Sequence, residues 1–244
     1  MFSFANRLEI VLEKVAAAEQ RARRASGSVA LVAVSKTFPP ECVDEAIDAG
    51  VRVLGENRVQ EAAAKIPLCR SAEWHLIGPL QRNKIRAALP LFSTIHSVDS
   101  TQLLLDITRV SAECGIRPRL LLEVNVAGEA SKFGFTPESV RDGIETTLSL
   151  GADINVAGLM TVPPFVPDPE LSRPRFAILR ELRDSLEREF ALALPELSMG
   201  MSGDYETAIE EGATLIRVGS ALFGRRDKSA WKPERQQDTD ENYD

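Results

Sequence analysis

The sequence predicts an α/β protein, a single (β/α)8 TIM barrel preceded by an N-terminal helix. Three observations point there. Short apolar runs alternate with helical patterns along most of the chain, which implies parallel strands joined by crossover helices. The runs are near-continuously apolar, so both faces of each strand are buried. Eight such units fit within 244 residues, a usual length for this barrel.

Residues 4–25 read as one helix, with Phe4, Leu8, Val11, Leu12, Val15, Ala18, Ala22 and Ala25 on one stripe and charges opposite. The strand candidates are 29–35, 51–55, 73–78, 94–98, 118–126, 154–161, 196–202 and 214–219. Helical patterns separate them. One covers 40–49 behind Pro40 and Glu41; others cover 57–66, 81–89 and 101–114, the last behind Asp99 and Ser100 as caps. A further helix opens at Thr136-Pro137, a cap followed by proline, and two more cover 174–192 and 204–211. An open doubly wound sheet would carry a GxGxxG turn after its first strand, and none is present. Residues 1–226 are thus expected to form one barrel, and 227–244, with six acids against three bases, a disordered polar tail.

Composition narrows the function classes. The chain is 44 % hydrophobic and 27 % charged, as an ordinary globular domain is, and its net charge of −7 lacks the footprint of a general nucleic-acid binder. Its longest uncharged stretch, the 14 residues between Asp153 and Asp168, contains three prolines and is too short to span a membrane. Arg7, Glu9, Glu13 and Lys14 stand where a secretory signal would be apolar. Three scattered cysteines (Cys42, Cys69, Cys114) argue for unpaired thiols and a cytoplasmic location.

In this barrel chemistry sits at the C-terminal ends of the strands. Lys36 follows six apolar residues of the first strand. In a desolvated pocket such an amine becomes a nucleophile able to form Schiff bases; the plainer reading is a lysine snorkelling from a strand end. The seventh strand ends Ser198-Met-Gly-Met-Ser202-Gly203-Asp204 and the eighth Arg217-Val-Gly-Ser220, both followed by helices. Small residues there let N–H groups and hydroxyls converge on an anion at the usual phosphate site of the fold, although glycines also cap helices. A Schiff-base lysine facing such a cup describes a pyridoxal phosphate site, and Arg217 would then donate to the ring nitrogen and leave it unprotonated. Otherwise Arg217 forms a salt bridge at the rim.

The other signals are weaker. His75 and His96, the only histidines, read as polar lining rather than a metal site. Arg21, Arg23 and Arg24 read as a solvated face, and Lys84, Arg86 and Lys132 as positive potential at the barrel mouth.

With these residues assembled, the chain resembles the YggS/PROSC-like family of pyridoxal-phosphate-binding proteins over about residues 5–226. The matching blocks are Ala33-Val-Ser-Lys-Thr37, Gly55-Glu-Asn-Arg-Val-Gln-Glu61, Trp74-His-Leu-Ile-Gly-Pro-Leu-Gln-Arg-Asn-Lys84, Ile95-His-Ser-Val-Asp99, the run from Glu123 to Lys132, Gly158-Leu-Met-Thr161, Ser198-Met-Gly-Met-Ser202 and Arg217-Val-Gly-Ser-Ala-Leu-Phe-Gly224. The family is similar in fold to the N-terminal barrel of alanine racemase. The resemblance implies that Lys36 carries the cofactor as an internal aldimine. It implies that Ser198, Ser202, Gly219 and Ser220 hold the phosphate and Arg217 faces the ring nitrogen. Asn57, His75 and Met160 would line the pocket.

The implied role is intracellular binding and homeostasis of pyridoxal 5′-phosphate, without established turnover. The implied partners are the cofactor and the apo enzymes that receive it, with no nucleic acid or membrane, and the chain is taken as a monomer. The alternatives are a fold-type-III amino-acid racemase or decarboxylase that uses the same cofactor, and a Schiff-base aldolase that uses none. Racemisation needs a second proton-transfer group opposite the lysine, which racemases take from a tyrosine of a partner subunit. The only tyrosines here are Tyr205, beside the phosphate cup, and Tyr243, in the tail, and no β domain follows the eighth unit.

Overall fold

The structure, a computed structural model, describes residues 3–129, 133–151 and 154–224. The expectations for Lys132, for Tyr243 and for the tail 227–244 lie outside the described residues. Eight parallel strands close into one barrel in chain order, with β8 pairing back onto β1. They are β1 (Ala30–Val34), β2 (Val53–Glu56), β3 (Glu73–Leu76), β4 (Thr94–Val98), β5 (Arg119–Glu123), β6 (Val156–Met160), β7 (Glu196–Met201) and β8 (Leu215–Val218). Seven of the eight lie inside or on the limits expected from the sequence, and β2 runs one residue past its expected end at 55, to Glu56. Most are shorter, because the polar residues that end each apolar run belong to the mouth loops.

Around the barrel run α1 (Phe4–Arg21), α2 (Pro40–Asp48), α3 (Val59–Lys65), α4 (Ile85–Ala88), α5 (Thr101–Cys114), α6 (Val140–Leu150), α7 (Arg173–Phe190), α8 (Tyr205–Glu210) and α9 (Ser220–Phe223). Helix α1 starts where Ser3 accepts from the Asn6 N–H, and it buries Phe4, Leu8, Val11, Val15 and Ala18. It stops at Arg21, short of the expected 25. There Arg23 takes a left-handed backbone, and the buried Glu19 carboxylate accepts from the N–H groups of Gly27 and Val29 and from the Ser28 hydroxyl. The chain is thereby turned into β1. Of the arginines read as a solvated face, Arg21 and Arg23 are exposed, with Arg21 pairing with Glu206 and Glu210 of α8, whereas the half-buried Arg24 donates to the carbonyls of Ile209 and Ala213.

Helix α5 is capped by Ser100, whose hydroxyl accepts from the Leu103 N–H, and it ends on a left-handed Gly115. Helix α6 begins three residues beyond the expected Pro137, because Thr136 and Ser139 close a turn on each other first. The three cysteines are unpaired and half-buried, as expected. Among the described residues no helix is long and apolar enough to cross a membrane.

Candidate functional site

The ends of β1, β2, β7 and β8 and the loop after β6 surround a cavity of about 610 Å³ at the C-terminal mouth of the barrel. Six of the nine residues singled out from the sequence line it: Lys36, Asn57, Ser202, Arg217, Gly219 and Ser220. Strand alternation explains the first placement. Val34 and Lys36 face inward, whereas Ser35 between them turns outward to donate to Glu56 at 2.7 Å.

Lys36 sits in a turn that the chain holds firmly. Thr37, the next residue, has φ of +70°, a costly conformation for a β-branched side chain. Its N–H donates to Glu61 at 2.5 Å. The ammonium of Lys65, fully buried, donates to the carbonyl of Ser35 and to the carboxylates of Glu56 and Glu61. The backbone on both sides of Lys36 is therefore tied to one buried cluster. Burial pushes the Glu56 carboxyl above its ordinary range, with the Lys65 charge opposing.

The opposite wall is built by the last two strands. The Ser202 hydroxyl accepts from the N–H groups of Gly219 (3.2 Å) and Ala221 (3.3 Å), which binds the loop after β7 to the start of α9. Asp204 closes its own turn by accepting from the Met201 N–H. Gly200 has φ of +90°, and a Cβ there would stand 2.5 Å from that of Ala208, so only glycine lets β7 bend this tightly over α8. Gly203 faces open space, since a Cβ there would meet nothing within 4 Å. The N–H groups of Gly203 and Ser220 bond no other group among the described residues.

Arg217 forms the floor of the cavity. Its Nη1 donates to the Ser198 hydroxyl at 2.5 Å and its Nη2 to the Thr161 carbonyl at 2.8 Å. Burial lowers the guanidinium to about 10, against the fields of Glu123 and Asp204, so it stays charged at neutral pH. Lys36 and Arg217 thus bring two cations to a wall that also offers serine hydroxyls and, among the described residues, no carboxylate or imidazole. That donor set fits a phosphorylated ligand with a carbonyl for Lys36 and a hydrogen-bond acceptor for Arg217.

The other three residues lie deeper. Ser198, expected in the phosphate cup, is fully buried between His96 and Arg217, four residues before Ser202 on a strand that bends at Gly200. His75 is likewise inside the barrel, bonded to Glu73 and His96, and burial holds both histidines below their ordinary range, His96 well below. Met160 packs in the interior with Val32, Leu121, Ala157 and Leu215. Arg86, expected to add charge at the mouth, pairs with Glu113 on the outer helix ring. Tyr205 is buried at the start of α8, its hydroxyl pushed up to about 12 by burial, and it does not line the cavity. Sequence reasoning missed the Lys65 cluster and Phe165, which overhangs the cavity from a proline-rich loop. The three prolines around Phe165 were the one available signal for a stiff loop there.

Comparisons with known proteins identify the family and the fold. The family described as "Alanine racemase, N-terminal domain" matches residues 10–227. The "Pyridoxal phosphate homeostasis protein" of Aquifex aeolicus is 46 % identical over 222 residues, covering 90 % of this chain and 97 % of that protein. The protein of the same name from Escherichia coli K12 is 35 % identical over 243 residues, covering 94 % and 99 %. Among solved structures, PipY of Synechococcus elongatus PCC7942 with PLP bound is 38 % identical with a TM-score of 0.78, covering 91 % of this chain and all of that one. An alanine racemase of Clostridium difficile shares the fold at 15 % identity, with a TM-score of 0.71 over 93 % of this chain and 59 % of that one. On these matches the chain belongs to the pyridoxal phosphate homeostasis protein family, built on the alanine racemase N-terminal domain.

Proposed function

We propose that this protein binds pyridoxal 5′-phosphate, holds it reversibly on Lys36 as a Schiff base, and serves intracellular vitamin B6 homeostasis without catalytic turnover. The observation that carries the reading is the single cavity in which Lys36, Arg217 and the Ser202–Ser220 corner meet with no acid among the described residues of its wall. The names of the relatives and the PLP-bound PipY structure support it.

Each residue has a distinct task. Lys36 would hold the aldehyde end of the cofactor through its amine. Ser202, Gly203, Gly219 and Ser220 hold the phosphate. Arg217, a permanent donor, keeps the ring nitrogen unprotonated and so withholds the electron sink that transamination and decarboxylation need. Asn57 borders the ring. Two-base racemisation needs a proton-transfer group opposite Lys36. The described cavity wall has no tyrosine, histidine, cysteine or carboxylate to supply one. An open mouth lets the cofactor pass to apo enzymes that require it.

The test is the visible spectrum of the purified protein titrated with pyridoxal phosphate. A yellow band that is absent in Lys36→Ala is expected, and a protein that takes up no cofactor refutes the reading. Exchange of α-hydrogen label from a panel of amino acids at an enzyme-like rate would overturn the non-catalytic part.

A further inference from the structure

A line of buried side chains crosses the barrel from the cavity to its opposite end. The Nη1 of Arg217 bonds Ser198 Oγ at 2.5 Å, Ser198 Oγ bonds His96 Nδ1 at 2.8 Å, His96 Nε2 bonds His75 Nδ1 at 2.9 Å, and His75 Nε2 bonds Glu73 Oε1 at 3.1 Å. Ser198 and His96 are wholly inaccessible and His75 nearly so. Glu73 opens β3 at the N-terminal face, where its side chain is 45 % exposed and also accepts from Ser93.

The two ends fix the direction of every link. A guanidinium can only donate, and an ionised carboxylate can only accept. His75 therefore carries its proton on Nε2, directed at Glu73, and offers Nδ1 as acceptor to His96. His96 carries its proton on Nε2 and offers Nδ1 to the Ser198 hydroxyl. The Ser198 oxygen is then left with lone pairs facing Arg217. Each group gives one proton and accepts one, so the chain has no spare partner. In the other tautomer His96 would donate to Ser198, whose oxygen would accept from His96 and Arg217 together, and the bare His75 Nε2 would face the Glu73 carboxylate. The imidazole pair thus fixes how the Ser198 hydroxyl is oriented beneath Arg217.

We propose that His96 and His75, acting through Ser198, are positioning residues for Arg217: they hold its guanidinium against Thr161 and Ser198 so that its remaining N–H groups face the ring nitrogen of the cofactor. This rests on the cofactor reading above. It assigns Ser198 to the support of Arg217 rather than to the phosphate, and it links the cavity to a carboxylate on the far face of the barrel.

The experiment titrates the full chain and three variants with two ligands, following the absorption band of the Lys36-bound ligand. The ligands are pyridoxal phosphate and its carbocyclic analogue with C–H in place of the ring nitrogen. His96→Phe keeps the ring volume and removes both links. His96→Gln restores one acceptor and one donor at similar separation. Ser198→Ala removes a single hydroxyl and keeps the proposal testable should His96→Phe not fold. With pyridoxal phosphate, His96→Phe and Ser198→Ala should bind about tenfold more weakly, the worth of one lost hydrogen bond to a charged group, with a displaced band. His96→Gln should bind close to wild type. With the carbocyclic analogue all four proteins should bind within about twofold, since nothing there depends on Arg217.

Wild-type affinity and band in both His96→Phe and Ser198→Ala would overturn the proposal. So would equal losses for both ligands, which would mean a general structural effect or, for Ser198→Ala alone, a phosphate contact. If the wild-type chain forms no band with either ligand, the cofactor reading itself fails and this inference with it.

Discussion

The ammonium of Lys65 donates to the carbonyl oxygen of Ser35 at 3.0 Å, with neither residue exposed to solvent. The same nitrogen lies 2.8 Å from Glu56 and 2.8 Å from Glu61, and Glu61 in turn accepts from the N–H of Thr37. One helix lysine thus clamps both flanks of Lys36. Removing one partner of a buried ion cluster leaves the others uncompensated, at a cost of about 3–5 kcal/mol. Lys65→Met, close in volume, should lower stability to urea by that much and widen the spread of Lys36 orientations, seen as a weaker cofactor band per folded molecule. A loss below about 1 kcal/mol would show that the turn is held by other contacts.

The buried histidines make the fold sensitive to acid. Burial is the main cause of the lowered values of His96 and His75, joined for His96 by the charges of His75, Arg217 and Arg119 and opposed for His75 by the Glu73 carboxylate. A base depressed in the folded state is neutral there, while the unfolded chain takes up its proton below about 6.5. The stability from each histidine is therefore complete above that pH and lost as pH falls toward the folded value. Between pH 7.5 and 5.5 each histidine that stays neutral should cost about 1.4 kcal/mol. Glu56, raised by burial, acts in the opposite sense and loses stability as pH rises. Urea midpoints of wild type and His96→Gln across this range isolate the histidine part. The wild-type protein should lose stability more steeply toward acid, and parallel curves would refute the assignment.

The barrel was legible because its signal is repeated. Apolar runs such as Thr94–Val98, buried at all five positions, cannot be solvent-facing strands. Lys36 was legible because it is the first cation after such a run. The depth of a residue was not legible. Ser198 and Ser202 stand four residues apart in one apolar run, and the bend at Gly200 puts one beneath Arg217 and the other at the cavity wall. Lys65 was hidden for a different reason. Four residues after Glu61 on a helix, it has the spacing of a solvated surface pair. Its burial arises from the packing of α3 against the ends of β1 and β2, which no local pattern encodes.

Close backbone approach beside Asn57 sets a further prediction. A Cβ on Gly78 would lie 2.4 Å from the carbonyl oxygen of Asn57 and 2.8 Å from its Cα, so the backbone must move to admit it. Overpacking of this kind costs about 1–3 kcal/mol. Gly78→Ala should therefore lower the melting temperature by several degrees, about 2–4 °C per kcal/mol for a chain of this size. Because Asn57 lines the cavity, the variant should also bind pyridoxal phosphate more weakly. Gly203→Ala is the matched control, since its Cβ meets nothing within 4 Å, and it should keep wild-type stability. Equal melting temperatures for the two variants would refute the argument.

Charge at Ser202 separates the phosphate corner from the rest of the fold. The Ser202 oxygen accepts from two N–H groups, those of Gly219 and Ala221, and a carboxylate can accept from the same donors. Ser202→Asp therefore keeps the link between the β7 loop and α9, and stability should change by less than about 1 kcal/mol. It also brings a negative charge to a wall whose described residues carry only positive ones. A phosphate brought against that carboxylate is repelled. Binding of pyridoxal phosphate should fall by at least about tenfold, while free pyridoxal, which has no phosphate, should react with Lys36 as in the wild type. Calorimetric titration with both ligands and a thermal melt of the same sample provide the check. Wild-type affinity for the phosphorylated ligand would remove Ser202 from the phosphate site, and equal losses for both ligands would point to a disturbed Lys36 instead.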